Sequence, residues 1–204
     1  MAWPRSLLLF VAAGLALAGC GRQAERPSTV LGTPAPRLAA PFTGEVLTVT
    51  EAGAGPITRD TPFSAEAIAA LFPDAEVTTA DLTRSGRTIP VIRVRQTELL
   101  LTIESSADEP VIAAVHAGGE NARGPNGEQL HQTGGPARFT PDQCPVDPAA
   151  TALSAVCRRT PDSHVSLVFT VGDFGRPSNA ASPYDQLVAH GFLADIVWER
   201  SPSV

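Results

Sequence analysis

Period-two alternation of apolar and polar residues runs through three stretches of this chain, the pattern of a β-strand with one buried face. In TIPVIRVRQ, Ile92 and Val94 alternate with Arg93 and Arg95; in TELLLTIES, Leu99, Leu101 and Ile103 share a side; in HVSLVFTVG, Val165, Leu167, Phe169 and Val171 are in phase. EPVIAAVHA, which runs into Gly118-Gly119, and the closing FLADIVWER read as two more apolar strands, with His116 in phase with Ile112 and Ala114. Short polar breaks at Ser85-Gly86 and at 105–109 predict an antiparallel meander.

Helical signals are shorter. In RDTPFSAEAIAALFP, Ser64 is a good N-cap, Glu66 lies in the first turn, and Phe63 can staple onto Ile68. Ile68, Leu71 and Phe72 make one apolar face, which Pro73 terminates. Within DFGRPSNAASPYDQLVAHG, Ser182 caps a second short helix, Pro183 fits its first turn, Asp185 completes a capping-box-like pair, and Gly191 stops it. Between the strand groups lies a Gly-rich loop, 118–136. The elements predict an α+β fold, short helices packed on antiparallel sheet. Two halves, 53–119 and 128–200, each read as a helix or irregular segment followed by strands; identity between them is weak, and the class stands with or without a duplication.

The N-terminus follows another pattern. Arg5 supplies a positive start, and the uncharged run Leu7–Ala18 is shorter than the roughly 20 apolar residues that a membrane-crossing helix needs. Leu17-Ala18-Gly19-Cys20 resembles the bacterial lipobox, whose cysteine receives diacylglycerol and a further acyl chain after cleavage before it. Several acyl chains anchor stably where one would be marginal. Residues 1–19 are thus expected to be a signal peptide, Cys20 the lipidation site, 20–44 a Pro-rich tether and 45–204 one folded domain. Gly21, in place of an Asp, favours the outer membrane, facing the periplasm, by resemblance to enterobacterial sorting.

Charge and composition narrow the partners. With 15 basic and 21 acidic residues the chain is acidic, which leaves no electrostatic footprint for nucleic acid. Aromatic residues are only 5%, too few for stacking platforms, and every basic residue is Arg, in keeping with a GC-rich genome. The membrane, through the lipid, and envelope proteins or peptidoglycan are the expected partners.

Once Cys20 is acylated, Cys144 and Cys157 remain, and an even pair in an exported chain points to a disulfide. It closes a loop worth about 3 kcal/mol in the chain-entropy model. Neither cysteine has a neighbour at metal-ligand spacing, so no metal or other cofactor is expected.

Catalytic signatures are lacking: the chain has no HExxH, GxSxG or phosphate-loop motif. Of its histidines, His116 reads as a packed or edge residue, His131 and His164 as loop or strand-entry residues, and His190 as a helix end; Asp108-Glu109 reads as a solvated pair. The glycines of HAGGENARGPNGE, with Arg123, could form an anion nest. Tyr184 and Leu187, in the long excursion, are candidates for a partner surface, since loops of that size tend to be functional.

GPITRDTPFSAEAIAALFP, the cysteine pair before VSLVFTVGDFGRPS, and SPYDQLVAHGFLADIVWER together resemble a proteobacterial lipoprotein family of unknown function, one member of which is regulated by the sigma-E (RpoE) envelope-stress factor. The similarity spans 53–200. It implies an envelope location and a stress connection, and it transfers no catalytic residue. One departure is QTGGPARFTPDQC, which lacks a second Thr-Pro-Phe helix start, so the second helix is expected to be shortened or absent. The leading expectation is a non-enzymatic binding or accessory module. The alternatives are a cell-wall hydrolase using His116, Asp195 or Glu199, which a cleft bringing His and carboxylate together would favour, and a periplasmic inhibitor of a hydrolase.

Overall fold

A computed structural model describes residues 39–84, 86–107, 109–146, 153–172 and 182–202. The leader, Cys20 and the chain up to 38 lie outside the described residues, as do Asp108 and residues 173–181 of the long excursion.

In chain order the elements are β1 (Leu47–Thr50), β2 (Gly53–Ala54), β3 (Ile57–Thr58), α1 (Ala65–Leu71), β4 (Glu76–Arg84), β5 (Arg87–Gln96), β6 (Leu99–Ser105), β7 (Ile112–Gly118), β8 (Ala122–Arg123), two 3-10 turns, β9 (Ser154–Cys157), β10 (Val165–Thr170), α2 (Pro183–His190) and β11 (Phe192–Glu199). The architecture is α+β. One sheet has seven strands in the order β4-β5-β6-β7-β11-β10-β9, and a second has four in the order β3-β2-β1-β8. Every pairing in the large sheet is antiparallel, and β1 with β8 is the parallel pair of the small one. The β4–β7 meander joins the later strands through β7 and β11.

Local chemistry explains the helices. Ser64 Oγ accepts from the Ala67 N–H at 3.1 Å and caps α1. Ile68, Leu71 and Phe72 are buried, and Pro73, with no N–H, cannot continue the ladder. Ahead of β1, Phe42 donates its N–H to Leu71 O at 2.7 Å and sets its ring 5.6 Å from that of Phe72. In α2, Ser182 Oγ accepts from the Asp185 N–H at 3.1 Å, and the Gly191 N–H closes onto Leu187 O at 2.7 Å.

One apolar cluster unites α1 and the small sheet (Leu47, Val49, Ile57, Ile68) with one face of the large sheet, including Ile92, Leu101, Val115, Phe169 and Trp198. Trp198 is 1% exposed, with its indole N–H 3.4 Å from Glu51 O in the β1–β2 turn. Glu51 ties the same turn to the start of β10, accepting from Ser163 Oγ at 2.6 Å and from the His164 N–H at 2.7 Å.

One sequence expectation, the phase of His116 with Ile112, is corrected. In β7 the register shifts between Glu104 and Ser105, so that Glu104 faces Ala114 while Ser105 faces Ile112. This irregularity skips Ala113 and reverses the phase. Ile112 points into the core with Val115 and Ala117, while Ala114 and His116 occupy the opposite face. The helix before Cys144 is shortened, as expected, to a 3-10 turn, Pro141–Gln143, closed by a Thr140/Gln143 capping box. Strands β1 to β4, β8 and β9 were not legible from alternation.

The two edges of the large sheet differ. At β9, Val146 bridges to Ala155, the Arg158 N–H donates to Gln143 O at 2.9 Å, and Cys144 and Cys157 stand at disulfide distance, Cα atoms 4.1 Å apart. At β4, no further strand follows among the described residues.

Candidate functional site

A charged row crosses the sheet face opposite the core. Because His116 stands opposite Thr102 on β6 and Val197 on β11, the pleat projects Glu104, His116 and Asp195 from one surface. His116 Nδ1 lies 2.6 Å from Asp195 Oδ2, and its Nε2 lies 3.2 Å from Glu104 Oε1. Arg84 Nη2, at the end of β4, reaches the same Glu104 oxygen at 3.0 Å. The side chain of Glu104 is only 9% exposed, against 22% for His116 and 28% for Asp195.

This setting favours the protonated form of His116. Burial works against its charge, and Arg84 adds repulsion; the hydrogen bond to Asp195 and the charges of Asp195 and Glu104 outweigh both, raising its pKa above the ordinary 6.5. A protonated imidazole has a donor on each ring nitrogen, and here each faces a carboxylate. A general base needs a ring nitrogen free to take a proton from a substrate. In its protonated form His116 offers none, and the row Arg84–Glu104–His116–Asp195 then alternates in charge across β4, β6, β7 and β11.

Of the hydrolase candidates, His116 and Asp195 thus meet, whereas Glu199 instead pairs with Arg158. Glu104 escaped the sequence reading, because an acidic residue on the polar face of a strand looks solvated until β7 is laid beside it. Among the described residues, no group of three His, Cys, Asp or Glu side chains is placed to hold a metal ion.

The other histidines are engaged locally. Nδ1 of His164 donates to Glu199 O at 2.8 Å, and its Nε2 accepts from Arg59 Nη2 at 2.9 Å. His131, with φ +63°, sets its ring 6.0 Å from Phe192. His190 falls in the last turn of α2, where a cationic side chain complements the helix dipole.

The Gly-rich loop binds a carboxylate, but its own. Glu128, 5% exposed, accepts from the Asn126 N–H at 2.8 Å and from Asn126 Nδ2 at 3.1 Å, with Arg159 at 3.6 Å. Burial opposes its ionisation, yet these donors and Arg159 prevail and hold the carboxyl below its ordinary range. Gly124 is needed here, since a Cβ would stand 2.5 Å from Glu128 Oε2. Arg123, expected to add charge for an external anion, donates to the carbonyls of Glu120 and Ala122.

The partner surface expected at Tyr184 and Leu187 is likewise corrected. Leu187 is fully buried, and the Tyr184 hydroxyl donates to the carbonyls of Pro136 and Phe139. Both side chains dock α2 onto the other 3-10 turn, Pro136–Arg138, and the core, because the apolar face of so short a helix must be covered to hold it. A groove of about 430 Å³ lies at the β9 edge, lined by Gln143, Pro145, Val156, Arg159 and Pro161 among others, none of them part of the His116 row.

No protein-family model matches the chain, and no curated protein is similar to it by sequence. Among solved structures, the fold is similar to that of the uncharacterized protein yfeY from Escherichia coli, with a TM-score of 0.56 and 18% identity over 74% of this chain and 99% of that one. At that identity the likeness is one of fold.

Proposed function

We propose that this chain is a periplasmic lipoprotein of the sigma-E-associated family, acylated at Cys20, held to the inner leaflet of the outer membrane, and serving as a non-enzymatic binding or accessory module in envelope maintenance or stress response. The lipobox at Leu17–Cys20 supports the anchor. A fold shared with yfeY over nearly all of that protein supports the family reading. A disulfide between Cys144 and Cys157 fits an oxidising compartment.

The observation that carries the non-enzymatic reading is the double engagement of His116. His116 is hydrogen-bonded through Nδ1 to Asp195 and set as an ion pair against Glu104 through Nε2, at 3.2 Å. When protonated, such a ring ties strands together and carries no lone pair for a substrate.

Two measurements test the proposal. In cells fed an alkyne palmitate, the wild-type chain takes up label and fractionates with membranes, while Cys20→Ala does neither. Purified peptidoglycan incubated with the detergent-solubilised protein releases no soluble fragments above buffer. Fragment release that His116→Gln abolished would overturn the module in favour of the hydrolase.

A further inference from the structure

The β4 edge of the large sheet carries an inference of its own. β4 is nine residues long, EVTTADLTR, with no proline and no register shift along its pairing with β5. Its outward backbone groups follow from the ladder. Arg84 and Arg87 close a two-residue hairpin turn, which makes them a hydrogen-bonded pair. Alternation then makes Asp81–Pro90 a non-hydrogen-bonded pair, as it must be, because Pro90 has no N–H to give. Val77, Thr79, Asp81 and Thr83 therefore turn their N–H and C=O groups away from β5, and among the described residues no other backbone group meets them.

An exposed edge of this length is a template for another strand, and proteins blunt such edges with proline, bulges, charged side chains or covering segments; of these β4 has only the charges of Glu76, Asp81 and Arg84, opposite in sign at its two ends. This molecule covers its β9 edge with Val146, Gln143 and the cysteine pair. Among the described residues none covers β4.

We propose that β4 pairs antiparallel with β4 of a second copy of this chain about a two-fold axis through Ala80. Only residues with outward-facing groups can form hydrogen-bonded pairs, so odd-numbered residues must face odd-numbered ones. A slip of one residue breaks that match. Full overlap of the strand then centres the axis on Ala80. In this register Val77 pairs with the partner's Thr83 and Thr79 with the partner's Asp81, each exchanging two N–H···O bonds. On the other face Glu76 stands opposite the partner's Arg84, and Thr78 opposite the partner's Leu82. No like charges oppose each other, and the strand's two ends carry opposite charges that the symmetry brings together. Sliding by two residues in one direction sets Glu76 against the partner's Leu82. Arg84 can serve both carboxylates, since its side chain is 55% exposed while it holds Glu104, and a guanidinium has five donors.

A self-paired Ala80 predicts its own assay. Across a non-hydrogen-bonded pair the two Cα atoms are about 4.5 Å apart, within disulfide range. Residues 79 and 81 are offset from their own symmetry mates and exceed that range. The full chain, processed by its own host and purified, is oxidised with copper-phenanthroline and resolved without reductant. Ala80→Cys is expected to give roughly tenfold more covalent homodimer than Thr79→Cys or Asp81→Cys. Adding Glu76→Arg, which opposes Arg84 with a like charge at an exposed site, is expected to lower the Ala80→Cys yield several-fold. Adding Thr79→Pro, which removes an outward N–H, is expected to abolish it while the far-ultraviolet spectrum stays unchanged. Equal crosslinking at all three positions, no homodimer from Ala80→Cys, or an adduct of Ala80→Cys solely with a different protein would each overturn the two-fold β4 pairing.

Discussion

His116 shows how much a single residue depends on its surroundings. Alone it is a titratable ring near neutrality; between Asp195 and Glu104 its charged form is favoured, and that form links two strands to its own. Its pKa is raised on folding, so its contribution to stability is complete below the ordinary value of 6.5 and is lost as pH climbs through the raised folded value. The wild-type melting temperature should therefore fall between about pH 6 and pH 9 by more than that of His116→Gln, as followed by circular dichroism. Equal slopes would remove the clamp. Glu128 has the opposite sign. Its pKa is lowered, so its contribution is present above the ordinary carboxyl value of 4.5 and disappears as pH drops through the lowered one. Glu128→Gln should accordingly be less stable than wild type at neutral pH, with the gap narrowing in acid. A gap that widened in acid would contradict the assignment.

At the scale of the element, legibility tracked local chemistry. Both helices were readable because their caps are local: Ser64 and Ser182 bind amides three residues on, and Pro73 and Gly191 end the ladders. Central strands β5, β6, β10 and β11 were readable because one face is buried and the other is wetter. β4 was not, since an edge strand packs on few neighbours and its apolar residues, Val77, Ala80 and Leu82, keep no period of two. β2, β3 and β8 span two residues each, below the length at which any period exists. The cysteines act at this scale as well, pinning the segment that covers β9. Replacing both with Ser should cost about 3 kcal/mol in urea unfolding, the loop-closure value for a span of this size. An unchanged midpoint, or two freely alkylated thiols in the native protein, would remove the crosslink.

For the whole molecule, the large sheet is the organising body, and its two faces have separate work. One is dry and carries the core; the other carries the Arg84–Glu104–His116–Asp195 row. Leu101 lies at the centre of the dry face, fully buried, paired with Val94 on one side and Ala117 on the other. Leu101→Ala should cost about 2–5 kcal/mol, because its neighbours belong to a continuous sheet that cannot collapse into the space. Leu100, its neighbour, is 42% exposed, and Leu100→Ala should change stability by under about 1 kcal/mol. Similar losses from both would mean that the faces had been assigned wrongly.

Taken alone, the sequence determined the α+β class, both helix caps, the central strands and the pairing of the last two cysteines as candidates. Each rests on residues within a few positions of one another, or on a count. Tertiary structure decided the rest. The bulge that turned His116 away from the core, the meeting of Glu104, His116 and Asp195, the capture of the Gly-rich loop by Glu128, and the burial of Leu187 all join residues far apart in the chain. No local pattern encodes which strand will lie beside which, and here that choice set a histidine between two carboxylates and, among the described residues, left one sheet edge open.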